Sequence, residues 1–144
     1  MTFLFYIITK DHTLKLVDEL ENQSMGDAKT FVDFMSWGRE KYPAQRDMLI
    51  VWDHGADATK GVCFDENFGF DGLNPNDFTD ILNTRSSENK AAPKKLDMVI
   101  FDTCFMGSID TANWMQDYAH YMIASEVICI SVLQEIHPHI SGRL

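Results

Sequence analysis

The sequence predicts an α/β fold with a mostly parallel central sheet. Two short apolar runs rich in strand formers, MLIVW from Met48 to Trp52 and LDMVIF from Leu96 to Phe101, each end in a polar group. Helix-like patterning lies between them and again after the second. Strands joined through a helical segment are expected to pair in parallel, which carries both polar ends to one rim of the sheet. Ligands of open α/β sheets bind at that rim.

Taken in order, Phe3 to Ile8 reads as a strand. Leu14, Leu16, Val17 and Leu20 carry a weak helical pattern. Gly26-Asp27 breaks it, and Asp27 is the expected N-cap of a better helix. That helix lays Phe31, Phe34, Met35 and Gly38 along one side and stops at Tyr42-Pro43. After Met48–Trp52 come Asp53-His54-Gly55, then a Gly-, Asp- and Asn-rich stretch from Ala56 to Gly72 with a hairpin expected at Gly61 to Phe64. Asn74-Pro75 opens a helix running to about Thr84, with Phe78, Ile81 and Leu82 inward. Arg85 to Lys95 reads as a polar loop. After Asp102-Thr103-Cys104, residues Ile109, Ala112, Met115 and Ala119 recur at helical steps, so Cys104 is expected just before a helix N-terminus. Tyr121 to Ala124 reads as a third strand ending at Ser125-Glu126. Residues 1–144 form one domain, with 127–144 as a divergent tail. Trp37, Trp52 and Trp114 are expected in the core, His12 and His120 on the surface.

The composition is 45% hydrophobic and 24% charged, as in ordinary globular domains, with a formal net charge of −10. That charge argues against nucleic acid or an anionic membrane as partner and favours a cationic substrate. No apolar run approaches the ~20 residues needed to span a bilayer. Thr2 to Thr9 lacks the basic residues and cleavage site of a signal peptide. Opening on a strand without a leader leads us to expect sequence upstream. The three cysteines, Cys63, Cys104 and Cys129, form no CxxC pair, which argues against structural zinc.

The chemistry concentrates on Cys104 and His54, 50 residues apart with the histidine first. A thiolate is the nucleophile, and an imidazole beside it activates the thiol and later protonates a leaving amine. Gly55 leaves its N–H bare, and that N–H with the N–H of Cys104 would hold an oxyanion. A free cysteine is also commonly a small buried hydrophobe, so the pair needs a shared location to count.

The motifs IVWDHG, FDTCFMGSID and DYAHYMIASE, in that order, resemble the clostripain family of cysteine peptidases, as does the upstream MGDAKTFVDFMSWGREKYPAQRDMLIVWDHG. The resemblance covers roughly residues 20–126. It implies a caspase-like three-layer α/β/α sandwich and a Cys–His dyad peptidase that cleaves a protein or peptide after Arg or Lys. It implies His54 as general acid/base and Cys104 as nucleophile, with Gly55 and Cys104 at the oxyanion. Asp102 would sit at the base of the S1 pocket, where a carboxylate pairs with a basic side chain. Ser125 and Glu126 would line that pocket. Two core strands that the family carries earlier are not in this stretch, and VICISVLQEIHPHISGRL replaces its Pro-Gly-rich continuation. The sheet is therefore expected to be incomplete at both ends, with a second chain as a candidate to complete it. Lys60 lies in the loop where members of the family process themselves, but the match there is too loose to assign a cleavage site.

No cofactor is needed for this chemistry. Some relatives bind calcium, and Asp57, Asp65, Glu66, Asp71 and Asp77 are candidate oxygen ligands, although no EF-hand spacing is present. The resemblance also points towards the extracellular space or cell envelope. Two other readings stay open: a non-catalytic remnant that binds or scaffolds, and a metal-binding module built on His54, Cys104 and nearby acids. His137 and His139 are further candidate metal ligands in the tail.

Overall fold

The computed structural model describes residues 3–78 and 95–128. It is a mixed α/β structure whose centre is a parallel three-stranded sheet, as expected. The strands are β3 (Met48–Trp52), β7 (Leu96–Asp102) and β8 (Ala119–Ala124), in the order β3-β7-β8. Before them lie the hairpin β1 (Phe3–Ile8) and β2 (Leu14–Leu20) and the helix α1 (Ala28–Lys41). Between β3 and β7 lie a small antiparallel sheet, β4 (Gly55–Asp57), β5 (Gly61–Asp65) and β6 (Asp71–Leu73), and helix α2, described over 75–78. Helix α3 (Ile109–Met115) joins β7 to β8.

The helix expected over Leu14–Leu20 is strand β2, paired antiparallel with β1. Leu14, Leu16 and Leu20 also fit a period of two, and the preceding turn decides for the strand. Thr9 N–H donates to the Thr13 carbonyl at 2.9 Å, the two threonine hydroxyls meet at 2.7 Å, and His12 takes a positive φ of 61°. Once that turn closes, the chain runs back along β1.

Helix α1 starts and stops where expected. The Asp27 carboxylate accepts from Lys29 N–H at 2.9 Å, and Tyr42 N–H closes the last turn on Gly38 O at 2.9 Å. Arg39, in the final turn, reaches Asp47 at 3.1 Å. Phe31 and Met35 face the core, while Phe34 joins Phe5 and Trp37 in an aromatic cluster. The capped start of α2 is also as expected: Asn74 Oδ1 accepts from Asn76 N–H, and Asp77 accepts from Asn74 N–H. The α3 pattern stops at Met115, and Ala119, expected on the helix, is the first residue of β8. Residues 61–64, expected as a hairpin, are a strand; the turns fall on either side of it.

The core lies on one face of the parallel sheet. Leu49 and Val51 of β3 sit opposite Val99 and Phe101 of β7, and all four are buried. Phe78 bridges Phe31 and Phe101 by edge-on ring contacts. The other face is open among the described residues: Ile50, Trp52, Tyr121 and Ile123 are each about half exposed or more. Trp52 is thus not a core residue, because strand alternation puts it opposite Val51. Trp37 and Trp114 pack where expected, and His12 and His120 are exposed. Cys129, His137, His139 and the loop expected before Lys95 lie outside the described residues.

Residues 24–26 strap the small sheet to α1. Ser24 Oγ donates to Asp71 at 3.0 Å, and Met25 N–H donates to Asp65 at 3.1 Å. A Cβ on Gly26 would lie 2.2 Å from the Asp71 carbonyl oxygen. Gly26→Ala is therefore expected to destabilise the chain by about 2 kcal/mol, measured by denaturant unfolding. An unchanged midpoint would contradict the close contact. The amide of Met25, with those of Asn67 and Phe68, holds the Asp65 carboxyl below its ordinary value. Its stabilising effect is thus present at neutral pH and lost as pH falls through that lowered value. The protection factor of the Met25 amide, the slowing of its exchange relative to an unfolded amide at the same pH, should fall on acidification, and Asp65→Asn should remove that pH dependence.

Candidate active site

Register fixes the candidate site. Pairing of β3 with β7 runs from Met48 opposite Met98 to Trp52 opposite Asp102. It is locked at the amino ends, where Asp47 N–H donates to the Asp97 carboxylate at 2.9 Å and Asp97 N–H donates to Asp47 O at 2.8 Å. His54 and Cys104 each follow the last pair by two residues, so both stand at the carboxyl rim. β8 is parallel to β7 and brings Ser125 and Glu126 to the same rim.

Backbone contacts tie the three strand ends together. A Cβ on Gly55 would lie 2.4 Å from the Cys104 carbonyl oxygen and 2.9 Å from Thr103 Oγ1. Only glycine lets the His54-Gly55 corner sit against Thr103-Cys104. On the other side, Phe105 N–H donates to Val127 O at 3.2 Å and Gly107 N–H to Ser125 O at 2.8 Å. A Cβ on Gly107 would lie 2.7 Å from Glu126 N. Phe105 has φ of 59°, the left-handed region that a bulky residue rarely adopts. The chain therefore turns sharply just after Cys104. Helix α3 starts only at Ile109, capped by Ser108, so the helix terminus expected beside Cys104 lies a full turn further on.

The side chains differ in access. His54 is exposed and Cys104 half-buried, while Asp102 ends β7 buried. Asp53 turns its carboxylate back onto the His54 N–H at 2.6 Å and so shapes the corner. His54 O accepts from Cys63 N–H at 3.2 Å. Cys63 itself is buried, and burial, with the Asp53 charge adding to it, pushes its thiol up to about 12. It is a packing thiol under the histidine corner. A cleft of about 440 Å³ adjoins His54, with Asp53, Asp65 and Glu66 on its wall and no lysine or arginine among the described residues that line it.

The candidate calcium ligands do not converge. Asp57 accepts from Thr59 and Lys60 amides, Asp65 from Met25 and Asn67, Asp71 from Ser24, and Asp77 from Asn74. Among the described residues no three His, Cys, Asp or Glu side chains come together as a metal-holding group. Sequence reasoning missed Phe105, Gly107 and Thr103, the last a buried hydroxyl with no hydrogen-bond partner among the described residues. Gly107-Ser108 was a signal for a turn, but Phe105 at positive φ had none.

The sequence profile of the clostripain family matches residues 5–131. No curated protein matches. Among solved structures, a secreted C11 cysteine protease from Bacteroides thetaiotaomicron, "iotapain", superposes with a TM-score of 0.74 at 14% identity, over 99% of this chain and 44% of that one. A secreted C11 cysteine protease of the same organism, in complex with an irreversible peptide inhibitor, gives 0.69 at 19% identity over 87% of this chain and 35% of that one. An inactive zymogen C11 protease from Parabacteroides distasonis gives 0.65 at 18%, over 90% and 35%. The chain thus spans between a third and a half of the length of these structures. They share its fold, and the profile match covers most of its length: the chain belongs to the clostripain family.

Proposed function

We propose that the chain carries the catalytic centre of a cysteine endopeptidase that cleaves after Arg or Lys. The observation that carries this reading is the shared rim: parallel register delivers His54 and Cys104 together, with Gly55 against the Cys104 carbonyl. Cys104 Sγ gives its proton to His54 and attacks the scissile carbonyl carbon. The resulting oxyanion accepts from the N–H groups of Gly55 and Cys104. His54 returns the proton to the leaving amine, the C–N bond breaks, and an acyl-thioester remains. Water, deprotonated by His54, attacks that thioester; the carboxylic acid leaves and the thiol is restored.

Asp102 supplies the charge for a basic P1 side chain, and Ser125 and Glu126 line its path. A carboxylate is chemically matched to a cationic side chain, and the described wall of the cleft beside His54 is acidic as well. The chemistry uses no cofactor. The substrate is a protein or peptide. The secreted bacterial neighbours support an extracellular or envelope setting, and no helix among the described residues is long and apolar enough to cross a membrane. A further polypeptide segment that completes the sheet belongs to the same reading. The open face of the parallel sheet favours one rival: a non-catalytic domain that keeps the fold and binds a partner there.

An arginyl chloromethyl ketone should label Cys104 and leave Cys63 as a buried thiol, read by peptide mass mapping. Equal labelling of both under native conditions would contradict an activated site. With Arg-reporter peptides, His54→Ala should lower kcat/KM by about 10²–10⁴-fold and Cys104→Ala should abolish turnover. Asp102→Asn should lower Arg and Lys cleavage by roughly 10²-fold while sparing a neutral P1 residue. Well-folded protein with intact Cys104 and no hydrolysis would favour the binding-domain rival.

A further inference from the structure

The main chain at Cys63 carries two features that packing of its side chain does not explain. Cys63 has φ of 61°, in the left-handed region that an L-residue adopts only under strain. It also lies in a bulge: from the pair Val62–Leu73 to the pair Asp65–Asp71, β5 advances three residues and β6 two. Bulges recur beside active sites, where they re-aim neighbouring groups. Here Cys63 gives its N–H to His54 O at 3.2 Å, while the Asp53 carboxylate accepts from the His54 N–H at 2.6 Å. Both main-chain polar groups of the histidine are thus held. A trans peptide points its C=O and its N–H in opposite directions, and no cis peptide occurs among the described residues. The unit between His54 and Gly55 turns its C=O to Cys63 in β5, so the Gly55 N–H faces away from β5.

We propose that Cys63 is a positioning residue of the oxyanion hole that acts through its main-chain N–H: by holding the His54 carbonyl it aims the Gly55 N–H at the carbonyl oxygen of bound substrate. The left-handed backbone keeps that amide in place. Val62 is pinned by its pairs with Gly55 and Leu73, and Asp65 by its pair with Asp71 and its bond from the Met25 N–H. Between those fixed points, a residue that leaves the left-handed region must turn the peptide groups beside it. The N–H that holds His54 O belongs to one of them. The side chain is the anchor: Cys63 is buried in the cluster of Leu49, Val51, Val62 and Leu73, and such over-determined surroundings are what let a strained residue persist. An oxyanion donor is effective when it is aimed before charge develops, because no reorganisation is then needed during the reaction. This role presupposes the oxyanion chemistry of the peptidase reading and adds a residue to it.

Three variants of the full chain separate backbone from side chain. Cys63→Val keeps an apolar side chain, but a β-branched residue resists positive φ. Cys63→Gly gives up the side chain and takes that φ freely. An ester at residue 63, an oxygen in place of its N–H with the side chain kept, removes the bond alone. With Arg-reporter peptides, Cys63→Val and the ester should each lower kcat by about tenfold or more with KM unchanged, and Cys63→Gly should recover most of that loss. Affinity for an arginyl aldehyde should fall in step with kcat. Cys104 Sγ adds to the aldehyde carbon, the C=O π bond breaks, the thiol proton passes to oxygen, and that oxygen occupies the hole. Loss of side-chain packing alone would hit Cys63→Gly hardest and leave the ester at native kcat and aldehyde affinity, and that pattern would overturn the assignment while the peptidase reading stands. A native chain that neither cleaves the reporter nor takes up the aldehyde would overturn the peptidase reading itself, and this role with it.

Discussion

Everything at the candidate site depends on the pairing of β3 with β7. Parallel hydrogen bonding sets a constant offset of fifty residues from Met48 opposite Met98 to Trp52 opposite Asp102, and reciprocal bonds between Asp47 and Asp97 anchor it. A one-residue slip would reverse the faces of the slipped strand. Leu49 and Val51 would leave the core, and the histidine corner would lose its place against Thr103-Cys104. The core therefore helps hold the site in register, because a one-residue slip would take Leu49 and Val51 off the face on which Val99 and Phe101 are buried.

The site is assembled from backbone as much as from side chains. Gly55 and Gly107 each occupy a position where a Cβ would collide with neighbouring main chain, and between them Phe105 is held at positive φ. Such a conformation costs on the order of 1–3 kcal/mol and persists when its surroundings over-determine it. Here the bonds from Phe105 to Val127 and from Gly107 to Ser125 do so. The result is a sharp turn that leaves Cys104 half-buried at the rim, while Cys63, below the corner, is sealed into the core.

Much of this was legible in the sequence because it rests on local chemistry. MLIVW and LDMVIF are short, apolar and rich in strand formers. Asp27, Asn74-Pro75 and Tyr42-Pro43 are cap and stop signals whose physics lies within a few residues. The shared rim for His54 and Cys104 followed from parallel connection alone. The errors fall where tertiary contact decides. Leu14–Leu20 fits two periods, and the Thr9–Thr13 turn chooses between them. Ala119 continues a helical spacing that Met115 ends. Trp52 looks like core by composition, yet alternation places it on the open face. The positive φ of Phe105 and the strap of residues 24–26 depend on segments far away in sequence.

The central claim is that the ends of β3 and β7 bring residues 54 and 104 together. It is tested most directly by His54→Cys in a chain that also carries Cys63→Ala and Cys129→Ser, treated with dibromobimane, which becomes fluorescent when it bridges two neighbouring thiols. The account predicts an intramolecular bridge between positions 54 and 104, seen as fluorescence in the monomer and lost when Cys104→Ser is added. Two thiols that each react singly, with no bridge in folded protein, would contradict it.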